Sequence, residues 1–216
     1  MSDEEVTEMN DGDDDVGEAA GEGESGETAS GDETGESTTV ELTHTTADGD
    51  VQMVDVGAKP DTRRRAVAAG EIRLQRSTLE AVRADSIGKG DVLATARVGA
   101  IQAVKHTWET IPMCHQIPIT NVDTAFAFQF DDGDPNGTDA ADNEADTNTG
   151  TGTLTLEVAV ETTGKTGCEM EALEGVTTGL NVVWDMVKAV EKDDDGQYPA
   201  TAIENVRVLE KTKRDR

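Results

Sequence analysis

Apolar and polar positions alternate along several stretches of this chain and recur every three or four residues along others. Over 66–75, Ile72 and Leu74 alternate with the charged Glu71 and Arg73, the period of a half-buried strand. The region 117–130 repeats the pattern through Val122, Thr124, Phe126 and Phe128. Leu154, Leu156, Val158 and Val160 resume it beyond a Gly-rich acidic segment, 131–152, which reads as the long loop of a hairpin. A last strand is predicted over 203–209, and 77–84 reads as a short helix with Ser77 or Thr78 near its cap. Asp91 is a good N-cap for a helix running to about Thr110, in which Leu93, Ala96, Ala100, Ile101, Val104 and Trp108 fall on one side; Pro112 closes it. The spacing of Met170, Leu173, Val176, Leu180, Val183, Val187 and Val190 predicts one long helix over 167–192. Gly175 and Gly179 lie inside it at a cost of up to about 1 kcal/mol each relative to Ala, so close helix packing is the expected reason for them. Strands that form hairpins, with helices between them, predict an α+β domain. Its antiparallel sheet carries helices packed on one face, in a ferredoxin-like arrangement.

Charge changes the reading of the ends. The 216-residue chain has a formal charge of −28, which by itself suggests an acidic binding protein. Residues 1–50 hold 18 Asp and Glu with no Lys or Arg, and 131–150 hold seven acids and no base, so the other positions carry a net charge of only −3. The first 50 residues contain too little apolar surface to offset the entropy of ordering them, and read as a disordered acidic tail. A single catalytic domain is expected over 51–213, its first apolar cluster at Met53, Val54 and Val56 and its acidic loop insertion at 131–152. Nothing resembles the basic stripe that a nucleic-acid partner requires. No apolar run approaches the length of a membrane span and no basic, apolar leader opens the chain, so a cytoplasmic location with no membrane partner is expected. The excess of acid also fits adaptation to high salt.

The chemistry is carried by short motifs. Cys114 and Cys168 lie 54 positions apart, outside any Cys-x-x-Cys pair, so no zinc or other metal framework is read. Gly164-Lys165-Thr166 has the ending of a Walker A loop, but Ala159 stands where that loop needs a Gly. The turn 163–167 is then either a plain strand-to-helix connection or an anion-favouring helix start, and spacing leaves both open. Lys89-Gly90-Asp91 places a flexible cation just before a helix cap. Met113-Cys114-His115 lies between Pro112 and Pro118, which are expected to hold the backbone extended. Asp185 and Lys188, three apart on one helix, are either a weak surface ion pair or a base and an acid; their neighbours Trp184, Met186 and Val187 favour a crowded setting.

The combination says more than any one motif. Met-Val-Asp-Val (53–56), Lys-Gly-Asp-Val-Leu-Ala-Thr-Ala-Arg (89–97), Ile-Pro-Met-Cys-His (111–115), Thr-Gly-Lys-Thr-Gly-Cys-Glu-Met-Glu-Ala-Leu (163–173) and Asp-Met-Val-Lys-Ala-Val-Glu-Lys (185–192) occur in this order. Together they resemble the cyclic pyranopterin monophosphate synthase family, the accessory protein C of molybdenum cofactor biosynthesis. The resemblance implies a lyase that converts 3',8-cyclo-7,8-dihydroguanosine 5'-triphosphate to cyclic pyranopterin monophosphate and diphosphate. Position by position, it makes Asp185 the active-site carboxylate, Lys188 its partner and Lys89 the lysine of the Lys-Gly-Asp motif. It makes Met113, Cys114 and His115 a substrate-binding loop, and Met170 and Glu171 a second substrate contact with Glu169 beside them. The implied substrate bears about four negative charges, so Lys165 is expected to join Lys89, Lys188 and His115 in neutralising it. No cofactor is demanded, although Mg2+ can accompany the triphosphate. Gln116 departs from the family's usual Pro, and the 131–152 loop is longer and more acidic than usual.

Two physical expectations follow from the residues. Proton exchange near pH 7 asks for a lowered Lys188 pKa, through burial or a nearby Lys. Glu171 and Asp185 are 14 positions apart, which on one helix is about 21 Å along the axis, more than a pterin ring system spans. If one substrate meets both, they come from different subunits, so a homo-oligomer with interfacial sites is predicted; the resemblance implies a hexamer, a trimer of dimers. The rival readings are another pterin or nucleotide cyclase or hydrolase on the same scaffold, and an inactive oligomeric binder. A proton-transfer pair favours catalysis over binding alone.

Overall fold

Leu154, Leu156, Val158 and Val160 are fully buried, as their alternation requires, and they form the centre of the core. The computed structural model describes residues 50–131 and 150–215. The elements are β1 (Thr62–Gln75), α1 (Arg76–Arg83), α2 (Val92–Thr110), β2 (Ile119–Phe130), β3 (Thr151–Gly164), α3 (Glu169–Glu191) and β4 (Ala202–Arg214). The strands form one sheet in the order β2-β3-β1-β4, and every neighbouring pair is antiparallel. That order is the ferredoxin-like βαββαβ arrangement, with α2 and α3 packed together and α3 lying on the central strands. β2 and β3 pair up to Phe130 opposite Gly152, so the acidic segment does join a hairpin. The expected tail, Asp50 apart, and the interior of that insertion lie outside the described residues.

The helices follow the predicted periods with corrections at their edges. Asp91 caps α2 by accepting from the Ala94 amide at 2.8 Å. The buried row of α2 is Val92, Ala96, Ala100, Val104 and Thr107, whereas Trp108 turns out to be 39% exposed, because a strict 3.6-residue period carries it off that row. On α3, Val176, Leu180, Val183 and Val187 are fully buried, but Met170 and Val190, at the two ends, are exposed. Neither Ser77 nor Thr78 caps α1: β1 runs directly into it and Gln75 is the cap residue. Tertiary partners take the role of a hydroxyl cap there. The Gln75 amide donates to the Glu191 carboxylate at 3.1 Å, and the Arg76 amide donates to the Gly150 carbonyl at 2.9 Å. Glu191 has no exposed surface and also accepts from the Thr201 hydroxyl at 2.6 Å, which ties the last turn of α3 to the sheet. The expected apolar cluster at the start of the domain is only half formed. Met53 is 46% exposed, while Val54 and Val56 are half-buried beside a pocket rather than in the core.

The two glycines of α3 let it approach its neighbours closely. A Cβ on Gly175 would come within 2.7 Å of Val104 on α2 and 3.1 Å of Val158 on β3; one on Gly179 would strike Leu156 and lie 3.2 Å from the Ala100 Cβ. Gly179→Val is therefore expected to destabilise the protein by about 1–3 kcal/mol through overpacking, measured by denaturant unfolding. A variant as stable as the parent would show that α3 is not seated this closely.

Candidate active site

The helix pair brings Lys89 to Asp185. The turn before α2 is closed by the Gly90 amide donating to the Ile87 carbonyl at 2.9 Å, with Gly90 at φ 105°, a conformation that favours glycine. It places the Lys89 ammonium 3.0 Å from one Asp185 carboxylate oxygen, and the Lys188 ammonium lies 2.5 Å from the other. These side chains are 42%, 58% and 48% exposed in the order Lys89, Asp185, Lys188, so in the single chain the cluster faces solvent. The crowded setting expected from Trp184, Met186 and Val187 is absent, because neighbours along a helix point to different sides. Val187 enters the core, and Trp184 packs edge-on against Tyr198 with ring centroids 5.8 Å apart. Hydrogen bonds from Lys188 and Lys89 hold the Asp185 pKa below its ordinary value. Asp185 in turn raises that of Lys188, the opposite of the expected lowering; an exposed ammonium paired with a carboxylate has nothing to drive its proton off.

A second group gathers at the other end of α3. A cavity of about 480 Å³ is lined by Met113, Cys114 and His115 from the loop after α2 and by Glu169, Met170 and Glu171 from the first turn of α3. The loop is not extended from its start, because the Cys114 amide donates to the Ile111 carbonyl at 3.0 Å and makes a turn of Met113. Glu171 is 5% exposed, and burial pushes its carboxyl up to about 7; the neighbouring Glu169 adds to the effect. Burial also raises the Cys114 thiol, with Glu171 contributing, which keeps it protonated. Cys168 is buried, with its thiol pushed up to about 11, and lies against the Val160 carbonyl at 3.4 Å. It is a core residue. A carboxyl poised near neutrality can accept or donate a proton, or recognise a ring N–H group.

Not every expected residue meets these groups. Lys165 does not line the cavity; its ammonium is committed to the Gly57 carbonyl at 2.5 Å, which holds the 52–61 segment beside the pocket. Lys59 and Thr166, which the sequence reading did not single out, do line it. Their signal was present, since Thr166 lies inside the 163–173 motif and Lys59 follows the 53–56 motif by three positions. α3 is unbroken from Glu169 to Glu191, so Glu171 and Asp185 stand about 21 Å apart along one axis, and the residues form two clusters rather than one. Among the described residues, no group of three or more His, Cys, Asp or Glu is placed to hold a metal ion, and no helix is long and apolar enough to cross a membrane.

A carboxylate clasped by two ammonium groups, with a separate pocket holding a carboxyl near its midpoint, is an acid–base arrangement on a ferredoxin-like scaffold. Residues 53–214 match the MoaC family, and the chain belongs to that family. It is 72% identical over 172 residues to a probable cyclic pyranopterin monophosphate synthase of Halobacterium salinarum, covering 80% of this chain and 93% of that protein. It is 67% identical over 174 residues to the probable synthase of Natronomonas pharaonis, covering 81% and 96% of the two chains. A probable cyclic pyranopterin monophosphate synthase accessory protein of Methanothermobacter thermautotrophicus is 49% identical over 173 residues, covering 80% and 95%.

The raised Glu171 pKa makes stability depend on pH. Between about 4.5, its ordinary value, and about 7, the folded chain binds more protons at this site than the unfolded chain, so this contribution to stability falls as pH rises through that window and is flat outside it. The full effect is at most about 3 kcal/mol. Glu171→Gln cannot ionise and should lose this slope, gaining on the parent from pH 5 to pH 8. Denaturant unfolding at both pH values checks it, and equal slopes would contradict a desolvated carboxyl.

Proposed function

We propose that this protein is a cyclic pyranopterin monophosphate synthase, a lyase that converts 3',8-cyclo-7,8-dihydroguanosine 5'-triphosphate to cyclic pyranopterin monophosphate with release of diphosphate. The observation that carries this reading is the Lys89–Asp185–Lys188 cluster, found in a member of the MoaC family. The names of the haloarchaeal relatives agree with it.

In this reading Asp185 is the base and Lys188 the acid. Lys89 holds Asp185 ionised and adds positive charge where the triphosphate must come. The ring system sits in the pocket of Met113, Cys114, His115, Met170 and Glu171. The Lys188 ammonium is tied to Asp185 and open to water in one subunit. It becomes a ready proton carrier only when another subunit covers the cluster and desolvates it. The length of α3 supports the same arrangement: one subunit supplies the ring pocket and a neighbour supplies the Asp185 cluster. We therefore read the protein as a homo-oligomer, a hexamer built as a trimer of dimers, working in the cytoplasm. Mg2+ enters, if at all, with the triphosphate rather than as a resident group.

The test is to supply the cyclic triphosphate, with and without Mg2+, and follow diphosphate and the pyranopterin product. The parent should release both, while Asp185→Asn and Lys188→Ala should each lose about 10²–10⁴ in rate. A Lys188→Ala enzyme that releases diphosphate at the parent rate would sink its assigned role, and a parent that makes no product would leave a pterin or nucleotide binder. Light scattering should give the mass of six subunits; a fully active monomer would overturn the interfacial site.

A further inference from the structure

The chain does not leave α3 freely. Lys192 ends the helix in extended backbone, and Asp193 then folds the residues after it into a tight turn. The Asp193 carboxylate accepts from the amides of Asp195 at 3.1 Å and Gln197 at 2.7 Å. Its carbonyl accepts from the Gly196 amide at 3.0 Å, and its own amide donates to the Gln197 carbonyl at 3.0 Å. Gly196 takes φ 78°, a conformation that favours glycine. Beyond the turn, the Thr201 amide donates to the Tyr198 carbonyl at 3.2 Å, while the Thr201 hydroxyl donates to the buried Glu191 carboxylate at 2.6 Å. Tyr198 is thus fastened on both sides, and Pro199 after it restricts its backbone to the extended region.

What this built loop presents is an aromatic ring laid back against the helix. Trp184, Lys188 and Lys192 follow at steps of four and share one face of α3, with Lys192 as the C-cap. The half-buried Tyr198 meets both ends of that row. Its ring packs edge-on against Trp184, with centroids 5.8 Å apart and planes at 78°, and the Lys192 ammonium lies 5.9 Å from its centroid. Trp184 and Lys192 are eight positions apart, about 12 Å of helix, and Lys188 stands midway between them. The titration of Lys188 is raised first by Asp185 and also by Tyr198, so the phenol is within electrostatic reach of the ammonium. The Tyr198 hydroxyl makes no hydrogen bond among the described residues; its contacts are made by the ring.

Lys188 needs such a neighbour. An exposed ion pair is a weak constraint on a flexible four-carbon stem, and Lys188 is 48% exposed beside Asp185. We propose that Tyr198 is a positioning residue for the Asp185 cluster: its ring, laid along the Trp184–Lys192 row by the turn at Asp193, walls the Lys188 stem and holds the ammonium against the Asp185 carboxylate. Tyr198 acts through Lys188 and not on the reacting atoms. The inference rests on the proposed lyase reading for what Lys188 does, but the hold on Lys188 can be measured without turnover.

The full-length oligomer is prepared with 13C-labelled lysine, and the Lys188 ε-methylene signal is identified by its loss in Lys188→Arg. In the parent the two ε protons should be distinct, as in a side chain kept in one rotamer, and in Tyr198→Leu they should merge. Tyr198→Phe keeps the ring and should match the parent; Tyr198→Met replaces Tyr198→Leu if the latter does not assemble. In turnover of the cyclic triphosphate, Tyr198→Leu should lower kcat about tenfold or more and change KM by less than about twofold, while Tyr198→Phe stays within about twofold of the parent in kcat. If the parent makes no product but the ε protons merge in Tyr198→Leu, the lyase reading fails and the positioning role stands. Merged ε protons in the parent, distinct ones in Tyr198→Leu, a loss confined to KM, or a loss in Tyr198→Phe as large as in Tyr198→Leu would overturn it.

Discussion

One unbroken helix sets the terms for everything else. α3 runs 23 residues, about 35 Å, without a break, and candidate site residues lie at both of its ends. It is held against its neighbours: Gly175 and Gly179 bring its backbone against α2 and β3, and Val176, Leu180, Val183 and Val187 are buried in the core. Its far end is fixed by the buried Glu191 carboxylate, which holds the β1–α1 junction and Thr201 together. A helix anchored in this way cannot fold its Glu171 end toward its Asp185 end. The two clusters stand apart in a single chain, and in the proposed reading a substrate that needs both is met by two chains.

Electrostatics follows the same division. The chain is strongly acidic, but 25 of its 46 acids fall in 1–50 and 131–150, outside the motifs. Where the sequence matters chemically, cations are local: Lys89 and Lys188 gather around Asp185. Burial does the complementary work on Glu171, whose carboxyl sits near the midpoint of its titration because it has been taken out of water. One cluster is thus tuned by charge pairing and exposure, the other by desolvation.

The sequence revealed most of the fold because its periods were clean. The alternation of Leu154, Leu156, Val158 and Val160, the Asp91 cap and the two glycines of α3 each act locally, so each could be read without knowing its partners. What could not be read depended on tertiary neighbours. The cap of α1 is replaced by contacts from Glu191 and Gly150, both distant in sequence. The Asp185–Lys188 pair is open rather than crowded, because helix direction, not sequence adjacency, decides what a side chain meets. Lys165 was expected among the substrate cations, and the structure joins it to the Gly57 carbonyl outside the cavity lining.

The central claim is that α3 feeds two sites in different subunits, and subunit complementation tests it most directly. Asp185→Asn and His115→Ala chains, each inactive alone, are co-expressed so that mixed oligomers form, and turnover of the cyclic triphosphate is compared with the parent. At an isologous interface shared by both variants, one site of each mixed pair carries neither substitution, so random mixing should restore about a quarter of the parent activity. Mixed oligomers as inactive as the separate variants would contradict the account, because they would place both clusters of one site in a single chain.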